Sequence, residues 1–414
     1  MSQWTPEWNL TINGGGSYTN LTLANLTITS GRQDIYSQPY AGYCNVEILN
    51  LDLSPIEMDI NDQINIQVKD SSGTFVNLFG GYVTDIDVEV TQASSTAISE
   101  RIKVVALGAL SKLPKTLTEG VLSKDFDGDQ IYTILSEALF DTWNEVPAAE
   151  TWTGYDPTTT WANAENSGLG DIDQPGDYEL TARSSSTTDI YSLVSSLATS
   201  GLGYLYEDSQ GRIGYADSTR RSSYLATNGY VDLTGSHALA RGIRTSKRSG
   251  DVRNNVTITY KANAQESASD ADSIAIYGQQ SYEITTSLEN GSDALDQAEF
   301  YLALRAFPEA QFKSITFPLA SPEIDDTDRD ALLEVFMGLP VNITDLPSNI
   351  TNGQFQGFVE GWTFTAGYNS LYLTLTVSPT AYSLQSTRWN GVSAAETWNS
   401  IDAGLEWINA TIVA

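Results

Sequence analysis

The stretch Leu78-Phe-Gly-Gly-Tyr-Val-Thr-Asp-Ile-Asp-Val88 reads as an amphipathic β-strand, and it has an echo in Gln354-Phe-Gln-Gly-Phe-Val-Glu-Gly-Trp-Thr-Phe364. At a constant offset Phe79 aligns with Phe355, Gly81 with Gly357 and Val83 with Val359. Tyr82, Ile86 and Val88 align with Phe358, Trp362 and Phe364. Residues at i, i+4 and i+6 share one face of a regular strand, so these bulky side chains are expected in the core of both copies. The shared glycine falls where a strand tolerates a bulge or a close backbone approach. Upstream, Asp62-Gln-Ile-Asn-Ile-Gln resembles Leu339-Pro-Val-Asn-Ile-Thr, slipped by one residue. Two strands in the same order at nearly the same spacing predict one β-domain present twice. The plain alternative is that any two amphipathic strands look alike.

Outward from the first copy, Tyr43-Cys-Asn-Val-Glu-Ile-Leu alternates with Cys44, Val46 and Ile48 on one face, and further strands are expected near 21–28, 62–69, 75–90 and 98–108. Turn signals such as Asp70-Ser-Ser-Gly separate them, which predicts a compact antiparallel sheet or barrel. Residues 113–239 differ. Apolar positions 131, 134, 135, 138 and 139 have helical spacing, as do Ile190, Leu193, Val194 and Leu197, with Thr188 as the expected cap and Gly201 as the stop. A hairpin is expected at 203–216. Strands return at 252–260, 274–285 and 311–319. Helix 293–306, with Leu295, Ala298, Tyr301, Leu302 and Arg305 along one side, interrupts them. A short helix at 328–336 leads to a closing hairpin at 355–378. The expected organisation is a β-rich α+β chain of four parts: a first β-barrel at 1–112, a small α+β insert at 113–239, a second β-barrel at 240–382 and a Trp-rich tail at 383–414.

With 21 Lys and Arg against 52 Asp and Glu, the 414-residue chain carries a net charge of −31. Such a surface repels phosphate and anionic lipid, which argues against sequence-independent nucleic-acid binding and against membrane docking. Nine Trp, 21 Tyr and 12 Phe supply bulk for real cores. One cysteine, Cys44, excludes an intrachain disulfide and a thiolate cage. Met1-Ser-Gln-Trp-Thr-Pro has neither a charged nor an apolar leader region, and no apolar run reaches transmembrane length, so neither a secretory leader nor membrane insertion is expected.

A second repeat is more specific. Trp143-Asn-Glu-Val-Pro-Ala-Ala-Glu-Thr-Trp152, continuing to Asp156 and Trp161, matches Trp389-Asn-Gly-Val-Ser-Ala-Ala-Glu-Thr-Trp398, continuing to Asp402 and Trp407. Large apolar anchors of this kind suit the gripping of a neighbouring surface; packing on their own chain, or sugar stacking, are the alternatives. Arg241, Arg244, Lys247, Arg248 and Arg253 form the basic cluster of an otherwise acidic chain and are candidates for contact with an acidic neighbour, such as another copy.

Catalytic signals are weak. The sole histidine, His237, sits in Thr234-Gly-Ser-His-Ala without a nucleophile elbow, and zinc chemistry usually asks for more than one histidine. The acidic clusters Asp125-Phe-Asp-Gly-Asp129 and Asp325-Asp-Thr-Asp-Arg-Asp330 lack the calcium-loop register and read as solvated helix N-termini. No glycine-rich phosphate loop is present. Neither an enzyme nor a bound cofactor or metal is expected, although a carboxylate pair for glycoside hydrolysis stays open among so many acids.

Gly31-Arg-Gln-Asp-Ile35, then Ala41-Gly-Tyr-Cys-Asn-Val-Glu-Ile-Leu-Asn50 and Phe79-Gly-Gly-Tyr-Val-Thr-Asp-Ile86, resemble the start of minor tail proteins of long-tailed bacteriophages, the baseplate-hub (tail-hub) family. The helix near 188–199, the hairpin 203–216, Arg253-Asn-Asn-Val-Thr-Ile258, Val341-Asn-Ile-Thr344 and Gly357-Phe-Val-Glu-Gly-Trp362 look like its later parts. The resemblance implies a homotrimer in which each chain brings two β-barrels related to tail-tube subunits. Six barrels in a ring would adapt a sixfold tail tube to a threefold tip and pass DNA through the lumen, where an acidic wall would let it slide. It implies a place in the virion tail tip. It also implies a distal tail protein, a tape measure protein and other tail-tip proteins as partners, with DNA present only in transit. The alternative is a host-surface or glycan-binding tail protein that uses the Trp array.

Overall fold

A computed structural model describes residues 4–12, 16–19, 22–35, 37–50, 56–94, 97–139, 168–239, 244–246, 249–308, 311–346 and 353–380. The first part of the chain contributes β1 (Trp8–Ile12), β2 (Gly16–Thr19), β3 (Thr22–Gly31), β4 (Tyr43–Asn50), β5 (Gln63–Lys69), β6 (Phe75–Ser94) and β7 (Ala97–Leu107). Strict alternation makes β4 and β5. Cys44, Val46 and Ile48 of β4 and Ile64, Ile66 and Val68 of β5 are buried, with polar residues between them facing outward. Burial raises the Cys44 thiol well above its ordinary pKa, so it behaves as a small apolar side chain.

The middle of the chain forms α1 (Asp127–Ala138), β8 (Leu169–Ile172), α2 (Ile190–Ser200), β9 (Tyr204–Glu207), β10 (Ile213–Ala216) and α3 (Arg220–Asn228). The expected helix 188–199 forms, but its cap is Asp189, which accepts from the Ser192 amide at 2.8 Å, and not Thr188. Next come β11 (Val231–Thr234), β12 (Arg244–Ser246), β13 (Asn255–Tyr260), β14 (Ala264–Ser269), α4 (Ala271–Tyr277), β15 (Ser281–Thr285) and α5 (Gly291–Arg305). The expected strand 274–285 is therefore half helix. Asp270 caps α4 through the Ser273 amide, and Gly278 at φ 72° ends it. In α5 the buried side chains are Ala294, Gln297, Ala298 and Leu304, while Leu295 is exposed. Ala294 and Ala298 let the helix lie close on β13 and β14, which rotates it away from the face chosen on bulk. The last elements are β16 (Gln311–Pro318), α6 (Asp326–Leu333), β17 (Pro340–Thr344), β18 (Phe355–Gly367) and β19 (Ser370–Pro379).

Two large apolar cores result. Val256, Ile258 and Ala298 of the β13–α5 unit pack with Ile131, Leu135, Val194 and Leu197 of α1 and α2. The other core belongs to a single thirteen-stranded sheet, in the order β2-β1-β5-β6-β7-β4-β3-β18-β19-β16-β12, with β17 on the first part of β18 and β11 on β17. Among the described residues neither half closes into the expected barrel. The reason is one pairing. β3, the end strand of the first half, runs antiparallel to β18 of the second, from Gly31 opposite Gly361 to Asn25 opposite Gly367. The edge that could close the first half is occupied by the second. No helix among the described residues is long and apolar enough to cross a membrane.

Candidate functional site

The join of β3 to β18 is where the two halves become one body, and a bulge builds it. Val359 pairs with Val377 but Gly361 pairs with Thr376, so Glu360 is the extra residue of β18. A bulge turns one additional side chain out of the regular alternation. Here that side chain is a carboxylate, and it is 1% exposed.

Three elements converge on it. Arg32, directly after β3, donates from Nε to Glu360 Oε2 at 2.7 Å, and its backbone amide donates to the Glu360 carbonyl at 2.8 Å. Arg221 of α3 makes a bidentate fork, Nη1 to Oε1 at 2.7 Å and Nη2 to Oε2 at 2.9 Å. The Ser378 hydroxyl of β19 donates to Oε1. Both guanidiniums also lie over the Tyr204 ring of β9, at 5.2 and 4.6 Å from its centroid. Burial alone would raise the Glu360 carboxyl; the charges of Arg221 and Arg32 and the hydrogen bonds overcome it and hold the pKa at about 2. One carboxylate thus clasps the first half, the middle region and the second half together.

A close backbone approach lies beside the clasp. A Cβ on Gly31 (φ +86°) would stand 2.4 Å from the Glu360 carbonyl oxygen, and one on Gly361 2.6 Å from that of Arg32. One face of the seam is apolar, with Ile28 opposite Phe364 and Leu26 opposite Ala366, all buried, while the other carries Thr27 opposite Thr365 and Thr29 opposite Thr363.

The halves on either side repeat each other. β1-β5-β6-β7-β4-β3 in the first matches β11-β17-β18-β19-β16-β12 in the second, the departure being that β11 pairs parallel with β17 while β1 pairs antiparallel with β5. The strand register preserves the alignment, since Gln63 opposite Tyr82 corresponds to Pro340 opposite Phe358. The bulge repeats as well: Val83 pairs with Ala106 and Asp85 with Val105, which leaves Thr84 as the extra residue, the counterpart of Glu360.

This architecture has solved counterparts. The structure of a 43 kDa tail protein of prophage MuSo2 from Shewanella oneidensis is similar with a TM-score of 0.53 at 13% identity, over 91% of this chain and 99% of that one. A tail protein from Neisseria meningitidis MC58 is similar with a TM-score of 0.57 at 11% identity, over 92% and 98%. The fold is that of phage tail proteins. No protein-family model and no curated protein sequence matches the chain.

Within the tail-protein fold, the bulge redistributes the residues expected to share a core face. Phe79, Phe355, Trp362 and Phe364 are buried in the sheet core, with Ile86 packed partly against it. Tyr82 and Phe358 lie before the bulge and point to the opposite face. Tyr82 is half-buried beneath Lys112, whose Nζ is 3.2 Å from the ring centroid, and Phe358 packs on Leu225. Val88, expected in the core, is 52% exposed, although its counterpart Phe364 is 1% exposed. Phe364 has β3 beside it, whereas no described strand pairs with the corresponding edge of β6.

Trp143, Trp152, Trp161, Trp389, Trp398 and Trp407 lie outside the described residues, as do Arg241, Lys247 and Arg248; Arg244 opens β12, the end strand of the sheet. His237 Nδ1 lies 3.3 Å from Asp328 Oδ2. Asp325 caps α6. Asp127, read in the sequence as part of a solvated cluster, is instead fully buried: it accepts from the Asp177 and Tyr178 amides and the Tyr215 hydroxyl, and burial raises its pKa to about 6.

A further carboxylate, half-buried, fastens the middle region to the first half. Glu207, at the end of β9, accepts from the Gly42 amide at 2.7 Å and the Leu110 amide at 2.6 Å. Burial raises its pKa to about 7 against the pull of those two donors. A carboxyl raised in the folded state adds stability that is complete below its unfolded pKa, about 4.5, and lost as pH rises through about 7. Denaturation midpoints are therefore expected to fall across that window, and Glu207→Gln to remove part of the slope while costing about 1–3 kcal/mol for the amide left without its acceptor. Asp127 adds a slope of the same sign from about 3.8 to 6. An unchanged slope in the variant would show that Glu207 does not titrate there.

Proposed function

We propose that this chain is a structural hub of a phage tail tip, a homotrimer that adapts a sixfold tail tube and distal tail ring to a threefold tip around a channel for DNA. The observation that supports this reading is the repeat described above: two half-sheets of one strand order and one bulge position, joined edge to edge in a single chain. Three such chains offer six half-sheets, the number a sixfold neighbour requires. The net charge of −31 suits a wall past which DNA slides without being held. In this reading the distal tail protein, the tape measure protein and other tail-tip proteins are the neighbours, and the Trp repeats at 143–161 and 389–407 are grips for them. The chain performs no catalysis.

Sedimentation equilibrium of the purified chain over a wide concentration range tests this. The expected mass is three times 45.0 kDa. A single species of 45.0 kDa at every concentration, with no ring in assembled tails, contradicts it.

A further inference from the structure

The internal seam has an unfilled counterpart. β18 receives β3 along Gly361–Gly367. In the first half the matching edge of β6, past the Thr84 bulge, has no strand beside it among the described residues. In the second half the matching end strand, β12, pairs among the described residues only with β16. One chain therefore ends in a donor strand and an acceptor edge that are repeats of the two elements already joined at its centre.

From this we infer that β12 of one copy adds antiparallel to the Asp85–Val90 edge of β6 in the next. This rests on the hub reading and names the partner surface within it. The register follows from the internal seam. Ser314, which pairs with Arg244, occupies in β16 the place that Asn45, which pairs with Thr27, occupies in β4. Thr27 faces Thr365 across the seam, and Thr365 corresponds to Glu89. Arg244 thus falls opposite Glu89. By the same construction Thr245 takes the place of Thr29 and falls opposite Asp87, the counterpart of Thr363.

Charge and exposure agree with this pairing. Asp85, Asp87 and Glu89 are exposed along the β6 edge, and Val88 and Val90 on the alternate positions are 52% and 60% exposed. Acids on an edge strand discourage pairing with a like edge. They favour a basic one, and Arg244 in β12 is followed in sequence by Lys247 and Arg248. The valines are the counterparts of Phe364 and Ala366, which β3 helps to bury at the internal seam. A donor edge and an acceptor edge on one chain form a heterologous contact, which closes into a ring when the rotation closes.

The test is a paired-cysteine variant, Asp87→Cys with Thr245→Cys. At the internal seam the matching side chains, Thr29 and Thr363, have their hydroxyl oxygens 3.4 Å apart, close enough for a disulfide at that register. Native Cys44 is buried and does not compete. Oxidation of the full chain, and of assembled tails carrying it, is expected to give a covalent species of three chains in non-reducing gels, with each single variant giving none. Arg244→Glu is expected to lower the trimer fraction at least tenfold, and adding Glu89→Arg to restore it. Trimers that form without the cross-link, and without any response to the charge exchange, overturn the junction while leaving the hub reading intact. A chain that stays monomeric in solution and is absent from tails as a ring overturns both.

Discussion

Replacing Glu360 with alanine is expected to lower the stability of the fold by about 3–5 kcal/mol, because it leaves two buried guanidiniums facing each other without their shared carboxylate. Arg32 and Arg221 have side chains 6% and 5% exposed, so water cannot take over the role of the lost anion. Ser378→Ala removes one hydrogen bond from the same carboxylate and is expected to cost about 1 kcal/mol. The comparison separates the charge from the packing. Urea denaturation of the two variants measures both, and a Glu360→Ala loss no larger than that of Ser378→Ala would show that the clasp contributes no more than an ordinary contact. Acid adds a check. A carboxyl held at about 2 in the folded state contributes stability that is complete above about 4.5 and lost as pH falls toward 2. The stability difference between the native chain and Glu360→Gln should therefore narrow below pH 4.5.

Gly31→Ala is the second large effect. The backbone there is at φ +86°, and the new methyl would stand 2.4 Å from the Glu360 carbonyl and 2.5 Å from the Gly361 Cα, neither of which belongs to a flexible side chain. Left-handed strain and the clash together are expected to cost about 2–5 kcal/mol. The damage should be local to the seam. Hydrogen exchange is expected to quicken first in Thr27–Gly31 of β3 and Gly361–Thr365 of β18, while β5 and β17 keep their protection. Uniform quickening over the whole sheet would mean that the halves do not part at this join.

Much of the fold was legible because alternation is a local property. The strands of β4, β5, β6 and β18 and the helices α1 and α2 follow directly from where Cys44, Val46, Ile64, Ile131 and Leu193 fall in the sequence. The repeat of β6 in β18 was legible for the same reason. The bulges at Thr84 and Glu360 were not, since neither residue differs in type from an ordinary outward strand position. That single insertion separates Tyr82 from Ile86 and Phe358 from Trp362, which a regular strand would hold on one face. The exposure of Val88 and the merging of two expected barrels into one sheet share a cause that no local pattern encodes, the pairing of strands more than 300 residues apart. The clasp was hidden for a related reason. Arg32 and Arg221 lie 328 and 139 positions from Glu360, and one acid among 52 carries no mark of its partners. Buried Asp127 looked like one more solvated acid at a helix start because burial depends on the loop at 173–178 folding back over it.

A reconstruction of the isolated tail tip by electron cryomicroscopy, with this chain located in it, measures the central claim directly. The account predicts three copies in a ring, six half-sheets around a central channel, with the β3–β18 seam inside each copy alternating with a β12–β6 seam between copies. A map in which the chain occurs in any number other than three around the axis, or stands outside the channel wall as a peripheral appendage, would contradict it.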